Sequence, residues 1–274
     1  PEAPLANGIV DTFNKKNLKI FGPTQDAAQL ESSKIWAKEF MHRNNIPTAE
    51  FQIFDNPEKA KQFVNSYDKQ VVIKADGLAA GKGVIVCSNK EEAFSAIDKI
   101  LIDKAFGSAG SKIIIEERID GVEASYIALC DGNVGIPMAT SQDHKRIFND
   151  DKGPNTGGMG AYSPTPAVDT ELAKKIQEEV IDKTISSLKK DGINFKGFLY
   201  AGVMIHDNIP YVLEYNVRMG DPECQPILMR FNSDLLEYLI AASEGRLEQL
   251  PEISWNKQYA VCVVIASKGY PNPY

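Results

Sequence analysis

Apolar positions along the chain follow two rhythms, and the rhythm switches at punctuation residues. From Ser32 to about Asn45, Ile35, Trp36, Phe40 and Met41 fall on one side of a 3.6-residue spiral. The spacing predicts a helix capped by Ser32 and stopped by Pro47. A βα pattern follows: Phe51–Phe54 reads as a short strand, 57–67 as a helix and 71–74 as a second strand entering a glycine-rich turn. Beyond that turn the pattern gives strand Val84–Cys87, helix 90–102 and strand 112–116.

In the second half, strand-like runs at 124–130 and 133–139 are joined by Asp131-Gly132, a two-residue hairpin signal. A polar, glycine-rich loop without regular structure is expected over 141–166. Asp169 then caps a long helix to about residue 190, in which Leu172, Ile176 and Val180 recur at i, i+4 and i+8 with Ile181, Ile185 and Leu188 beside them. A hairpin joins 198–205 to 211–216, a helix covers 233–244, and the last strand-like run is 259–266. Antiparallel hairpins mixed with helices favour α+β layers over a doubly wound parallel sheet.

Composition narrows the function classes. The 274 residues, 43% of them hydrophobic, can bury the core of roughly one or two domains. The balance of 30 basic against 37 acidic side chains, −7 in all, argues against a nucleic-acid or membrane partner, so any phosphate site must be local. Cys87, Cys130, Cys224 and Cys262 are far apart and form no C-x-x-C pair, which points to reduced thiols rather than zinc or a disulfide framework. No apolar run reaches the roughly 18 to 20 residues of a membrane span, and the N-terminus lacks the charged-then-apolar order of a signal peptide, so a cytoplasmic location is expected.

Four constellations carry possible chemistry. In the first, strand residues through Lys74 lead into Gly77, Gly81, Lys82 and Gly83. Backbone N–H groups there could approach phosphate oxygens with no Cβ in the way, although a structural glycine-rich hairpin reads the same. It is not a Walker loop, since Gly83 stands where Ser or Thr should ligate magnesium, nor a dinucleotide fingerprint, since a strand follows. In the second, an apolar strand runs into Glu116 and Glu117, with Ile119 and Glu123 beyond, which suits an adenine edge and ribose hydroxyls or simply a solvated strand end. In the third, Glu214, Asn216 and Arg218 share one face of a strand, where carboxylate and amide oxygens suit a hard cation. The fourth is the 141–162 loop, whose Asp143, Lys145, Arg146 and glycines mix cations, amides and backbone donors as a small anionic substrate would require. His42 and His206 read as structural, and His144 has no nucleophile in view.

Taken in order, Lys34, Lys74, the 77–83 loop, 116–123 and Glu214-x-Asn216 resemble the ATP-grasp superfamily. Within it, Lys-Ala-Asp-Gly-Leu-Ala-Ala-Gly-Lys-Gly, Gly-Pro-Asn-Thr-Gly-Gly-Met-Gly-Ala and Asn-Val-Arg-Met-Gly-Asp-Pro-Glu are similar to the glycinamide ribonucleotide synthetases along nearly the whole chain. The resemblance implies an α+β ATP-grasp fold, two α+β subdomains clasping ATP, with remnants of flanking N- and C-terminal domains. Its expected segments are 1–30 for the end of an N-terminal domain and linker, 31–51 with 120–254 for the core, 52–119 for a mobile lid, and 255–274 for the start of a truncated C-terminal domain.

By the same resemblance, Lys34, Lys74, Gly77, Gly81, Lys82 and Gly83 would hold ATP phosphates, Glu116, Glu117 and Ile119 would meet adenine, and Glu123 would bind ribose. Glu214 and Asn216 would ligate Mg2+, or Mn2+. Arg146 and Arg218 would stabilise the transferring phosphoryl group. Glu2, Asp143, Lys145, Asn155, Thr156, Gly157, Gly158 and Met159, with the Asp221-Pro222-Glu223 turn, would line the side that takes glycine and 5-phosphoribosylamine. The implied reaction is ATP-dependent joining of those two through glycyl phosphate, in purine biosynthesis. A ligase for another carboxylate and amine, or a nucleotide-binding fragment without turnover, are the alternatives. The chain departs from many ATP-grasp proteins at Ala201-Gly202-Val203, where they carry a further acidic metal ligand.

Overall fold

The computed structural model describes residues 2–78, 83–150 and 152–271. Two antiparallel four-stranded sheets dominate it, each with its own apolar cluster. In the first, the strands run in the order Phe51–Phe54, Ile113–Glu117, Val71–Ala75, Val84–Cys87. Ile73 faces Ile115 on one side and Ile85 on the other. Period-two alternation turns Val71, Ile73, Ile113 and Ile115 toward two helices, Pro57–Ser66 and Lys90–Ile97, whose Val64, Ala93 and Ile97 close the cluster. Both helices begin where an Asn can cap them: Asn56 accepts from Lys59 N at 3.0 Å and Asn89 from Glu92 N at 2.8 Å. Glu92 reciprocates by accepting from the Asn89 side-chain amide and from Ser88 N, one residue before the cap.

The second sheet has the order Ile209–Asn216, Lys196–His206, Val122–Asp131, Gly135–Pro137. Its two central strands are buried on both faces. One face receives helix Lys34–Arg43 and the helical stretch Thr170–Ile176, Gln177–Asp182 and Lys183–Lys190, contributing Phe40, Met41, Ile176, Val180 and Leu188. The other receives helix Leu235–Glu244, whose Tyr238, Ala241 and Ala242 pack on Ile127, Leu129 and Tyr200. The strand register slips between Gly202 and Val203, leaving Gly202 opposite Glu214. A smaller sheet of Ala260–Val263, Gly160–Ser163 and Gln142–Asp143 lies beside these, with a separate ribbon of Arg146–Phe148 and Lys152–Asn155.

The pattern misplaced several details for local reasons. The cap of the first long helix is Ser33, not Ser32: Ser33 is extended at φ −135° and accepts from Trp36 N at 3.1 Å, while Ser32 ends a short helix, Gln29–Ser32. The stretch 141–166 is not structureless, because its Gly and polar residues form the ribbon and two strands of the small sheet. The hairpin after Asp131 turns through Gly132-Asn133, with Asp131 N donating to Val134 O and Gly132 at φ +94°. The buried Asp131 side chain accepts from Asn133 N at 2.8 Å, Val134 N at 3.0 Å and Leu247 N at 3.1 Å. Asp131→Ala would orphan these donors, and is expected to cost about 3 kcal/mol in a urea titration with little change in slope. Among the described residues no helix is long and apolar enough to cross a membrane.

Candidate active site

The chemistry-bearing side chains collect along the seam between the two large sheets. Helix Lys34–Arg43 starts there because Ser33 caps it, and the same Ser33 hydroxyl donates to Asp76 at 3.1 Å. Asp76 also accepts from Ile35 N at 3.1 Å, so the turn after strand Val71–Ala75 is tied to the helix start. The Lys34 ammonium donates to Gly77 O at 3.0 Å, and the Lys74 ammonium to Leu213 O at 2.8 Å. Burial holds the Lys34 amine below the ordinary lysine range, opposed by the Glu214 charge.

Lys74 shares the Glu116 carboxylate with Lys38, each at 3.1 Å, and Lys38 also donates to Thr48 Oγ1 at 2.7 Å. Lys38 and Glu116 are each only 2% exposed, and burial pushes the Lys38 amine down to about 8 despite the carboxylate beside it. Of Glu116's two oxygens, Oε1 bonds nothing among the described residues. The Glu116 backbone is bracketed by Phe51 and Val72, whereas Ile119, past the strand end, donates its amide to nothing among the described residues. Glu117 pairs with Lys69 at 2.6 Å on the surface. Gly77, at φ +86°, has Ala109 and Ser32 against it, so the phosphate-side turn leaves little space for a side chain. Gly81 and Lys82 lie outside the described residues; Gly83 O accepts from Ala75 N at 2.8 Å.

Glu214 is the focus of the other side. Its partial burial opposes ionisation, but Lys145, then Lys74, Lys34 and Arg218, outweigh it and hold the carboxyl below the usual range. Lys145 lies 3.8 Å from Glu214 and 2.5 Å from Glu123, and the two acids overcome its burial to hold its amine well above the usual lysine value. Asn216 Oδ1 accepts from Arg218 at 3.1 Å, and Arg218 pairs with Glu31 at 3.0 Å. Glu31, buried and with its carboxyl raised, also accepts from Val217 N at 2.8 Å and lies near Glu2. No group of three or more His, Cys, Asp or Glu able to hold a metal ion occurs among the described residues. Glu214 and Asn216 supply one carboxylate and one amide oxygen, a donor set that fits Mg2+ completed by phosphate oxygens and water.

The 141–162 stretch brings Lys145 to the same cluster but spends many of its polar groups on itself. Arg146 donates to Gly153 O at 2.7 Å and pairs with Asn155 in the ribbon, an internal role that reading it as a phosphoryl-stabilising group did not anticipate. The Thr156 hydroxyl donates to Lys145 O at 2.7 Å and accepts from Gly158 N at 3.0 Å, and Gly157 N donates to Tyr270 OH at 3.0 Å. Met159 N reaches His144 O at 2.7 Å. Pro222 is buried against Gly158, whereas Asp221 is exposed and accepts from Gln225. Glu223 is 2% exposed, and its Oε1 accepts from Ser125 Oγ at 2.9 Å and from the Tyr200 hydroxyl. It ties this turn to the two central strands of the second sheet. His206 meets Asp120 O, His42 packs edge-on against Phe51, and His144 lies exposed near Tyr162.

Sequence reasoning missed Glu31, Lys38, Asp76, Ser125 and Tyr200. Only Asp76 had a usable signal, its place within the glycine-rich turn; the others depend on partners far away in the chain.

The comparisons with known proteins bear on this arrangement directly. The family model of the phosphoribosylglycinamide synthetase ATP-grasp (A) domain matches residues 32–224, and that of the phosphoribosylglycinamide synthetase N domain matches 1–31. The phosphoribosylamine–glycine ligase of Neisseria meningitidis serogroup B is 54% identical over 272 residues, which are 99% of this chain and 64% of that protein. The protein of the same name from Escherichia coli O6:H1 is 52% identical over 275 residues, again 64% of its length. The chain therefore spans less than two thirds of the curated relatives it matches. Among solved structures, phosphoribosylamine–glycine ligase from Thermotoga maritima superposes with a TM-score of 0.84 at 38% identity, covering 92% of this chain and 63% of that one. The biotin carboxylase domain of Hydrogenobacter thermophilus 2-oxoglutarate carboxylase, solved with magnesium ADP and bicarbonate, gives 0.72 at 19% identity, over 94% of this chain and 55% of that one, a likeness of fold alone.

Proposed function

The chain belongs to the phosphoribosylglycinamide synthetase family, and we propose that it supplies the ATP-grasp part of an enzyme that joins glycine to 5-phosphoribosylamine at the expense of ATP. The observation that carries this reading is the Glu214 carboxylate, set beside Asn216 among Lys145, Lys74, Lys34 and Arg218. Four cations around one acid suit a polyphosphate and its counter-ion better than any neutral ligand. In this reading the first sheet with its helices, 52–119, is the lid, and 31–51 with 120–254 the core. Residues 1–30 and 255–274 belong to flanking domains. The separateness of the two apolar clusters supports that division.

Lys34 and Lys74 hold phosphates, aided by Gly77 and by Gly81, Lys82 and Gly83. Glu116, Glu117 and Ile119 frame adenine; the Ile119 amide, without a partner among the described residues, supports its share of that task. Glu123 takes the ribose. Glu214 and Asn216 hold Mg2+, with Mn2+ as a substitute, and the metal when bound neutralises charge on the phosphates. A carboxylate oxygen of glycine displaces ADP from the γ-phosphorus, and the amine then displaces phosphate from the resulting acyl phosphate. Positioning and charge neutralisation do most of this work, and in this reading Arg218, paired with Glu31, and Arg146, in the ribbon, attract the migrating negative charge. Glu2, Asp143, Lys145 and the 155–159 turn with 221–223 border the acceptor side. The protein acts in the cytoplasm.

Mixing the intact protein with ATP, glycine and 5-phosphoribosylamine is expected to release ADP and phosphate together with a glycinamide product. ADP release that ignores glycine would overturn the proposal.

A further inference from the structure

Glu116 serves two cations with one oxygen. Its Oε2 stands 3.1 Å from the Lys38 ammonium and 3.1 Å from that of Lys74, and all three side chains are buried. Two ammonium groups against one carboxylate leave an excess positive charge in the seam, which a polyanion bound there would offset. The fold spends Lys38 on internal bonds alone. Beyond Glu116 it donates to Thr48 Oγ1 at 2.7 Å and to Ala49 O at 3.3 Å, and the Thr48 hydroxyl in turn donates to Val212 O at 2.7 Å. With only 2% of its surface exposed, Lys38 is closed to any ligand.

Lys74 faces the other way. It donates to Leu213 O at 2.8 Å, one residue before Glu214, and its charge helps to hold the Glu214 carboxyl down and the Lys34 amine down. Its influence therefore reaches the cluster of cations around Glu214. Were Glu116 paired with Lys74 alone, the carboxylate would cancel that charge one for one. Sharing Oε2 with Lys38 prevents the cancellation.

Among the described residues, the charges that face Lys38 are Glu116, from strand Ile113–Glu117, and Lys74, from strand Val71–Ala75. The remaining neighbours are uncharged: the Thr48 hydroxyl and Ala49 carbonyl from the segment before strand Phe51–Phe54, the Phe51 ring with its centroid 5.5 Å away, and Val212 O behind Thr48. Lys34 and His42 lie one turn to either side on its own helix. Burial pushes the Lys38 amine down to about 8, with Glu116 opposing and Lys74 reinforcing.

We propose that Lys38 is a positioning residue for nucleotide phosphates: by taking a share of the Glu116 carboxylate it leaves the charge of Lys74 free to act on a polyphosphate beside Glu214, an inference that rests on the function proposed above.

Binding of ADP and of adenosine to the intact protein, measured by calorimetry in metal-free buffer, separates this role from a structural one. Lys38→Met leaves Glu116 and Lys74 as a balanced pair. It is expected to weaken ADP about tenfold at pH 7, while adenosine, which carries no phosphate, stays within about threefold of wild type. Because the Lys38 amine loses its proton as pH rises through about 8, the wild-type advantage should shrink to below about threefold at pH 9.5. Comparing the two proteins at each pH cancels any titration at Lys34, whose amine burial also lowers. An ADP affinity within threefold of wild type at pH 7, equal loss of ADP and adenosine, or an ADP loss as large at pH 9.5 as at pH 7 overturns the proposal. Should the Met variant fail to fold, Lys38→Gln, also neutral and able to keep a bond to Thr48, decides by the same ratios. A wild-type protein that binds no ADP would instead sink the proposed function itself.

Discussion

Replacing Glu214 by alanine is expected to lower turnover of the intact protein about a thousandfold while leaving it folded and able to bind nucleotide. The carboxylate is a metal ligand in the reading above, and losing the metal's share of transition-state stabilisation corresponds to roughly 4 kcal/mol at ~1.36 kcal/mol per tenfold. Glu214 also restrains Lys145, Lys74, Lys34 and Arg218 electrostatically, since these cations are what keep its own carboxyl ionised. Without it they face the phosphates unopposed. Nucleotide affinity measured by calorimetry in metal-free buffer should therefore hold steady or rise as steady-state ADP release collapses. Normal turnover in this variant would remove Glu214 from the metal site.

The second large effect concerns stability. Glu116→Gln should destabilise the protein by about 3–5 kcal/mol at pH 7, because it leaves Lys38 and Lys74 buried without their shared counter-charge. The loss should shrink as pH rises. In the folded protein burial pushes the Lys38 amine down to about 8, below the ordinary lysine value of 10.5, so between those limits the unfolded chain holds a proton that the folded one has released. Stability contributed at this site therefore increases with pH across that window, and the burden of the buried charge is felt in full below about 8. Lys38→Met, which removes the titrating amine, should flatten the slope of unfolding free energy between pH 8 and 10. Denaturant titrations at several pH values read both variants; a slope unchanged by Lys38→Met would show that another group controls it.

Elements whose identity depends on near neighbours were legible from the chain. Phe51–Phe54 and Val84–Cys87 fall where their runs of aromatic and β-branched residues predict, and the helix begun by Asp169 starts at its cap. Ser32 and Ser33 are equally able to cap; what chose between them is Asp76, far along the chain, which binds the Ser33 hydroxyl and fixes the turn. The strands within 141–166 were hidden for a related reason. Gln142–Asp143 and Gly160–Ser163 have little strand preference of their own; the first exists because Gly160–Ser163 pairs with it, and Gly160–Ser163 is held between it and Ala260–Val263.

The candidate site divides along the same line. Lys34, Lys74, Glu214 and Asn216 lie in motifs whose order betrayed them, and the fold assembles them along one seam. Glu223 stood in such a motif as well, yet its bonds to Ser125 and Tyr200 make it a tie between that turn and the second sheet, something only the crossing of two strands reveals. Lys38, four residues after Lys34 on the same helix, belongs to no such motif. Its burial follows from the first sheet, which brings Glu116 over that face of the helix.

The seam has a thermal consequence. The apolar cluster of the first sheet shares no residue with either cluster of the second, and the side-chain bonds that cross between the sheets, from Ser33 to Asp76, Lys34 to Gly77, Lys74 to Leu213 and Lys38 to Glu116, are polar or ionic. Parting the halves wets charges and carbonyls more than hydrocarbon. Heat capacity rises with apolar exposure and falls with polar exposure, so such an opening would change it little. The balance between closed and open clasp would then vary gently with temperature, while either core alone still melts along a curved, strongly temperature-dependent path.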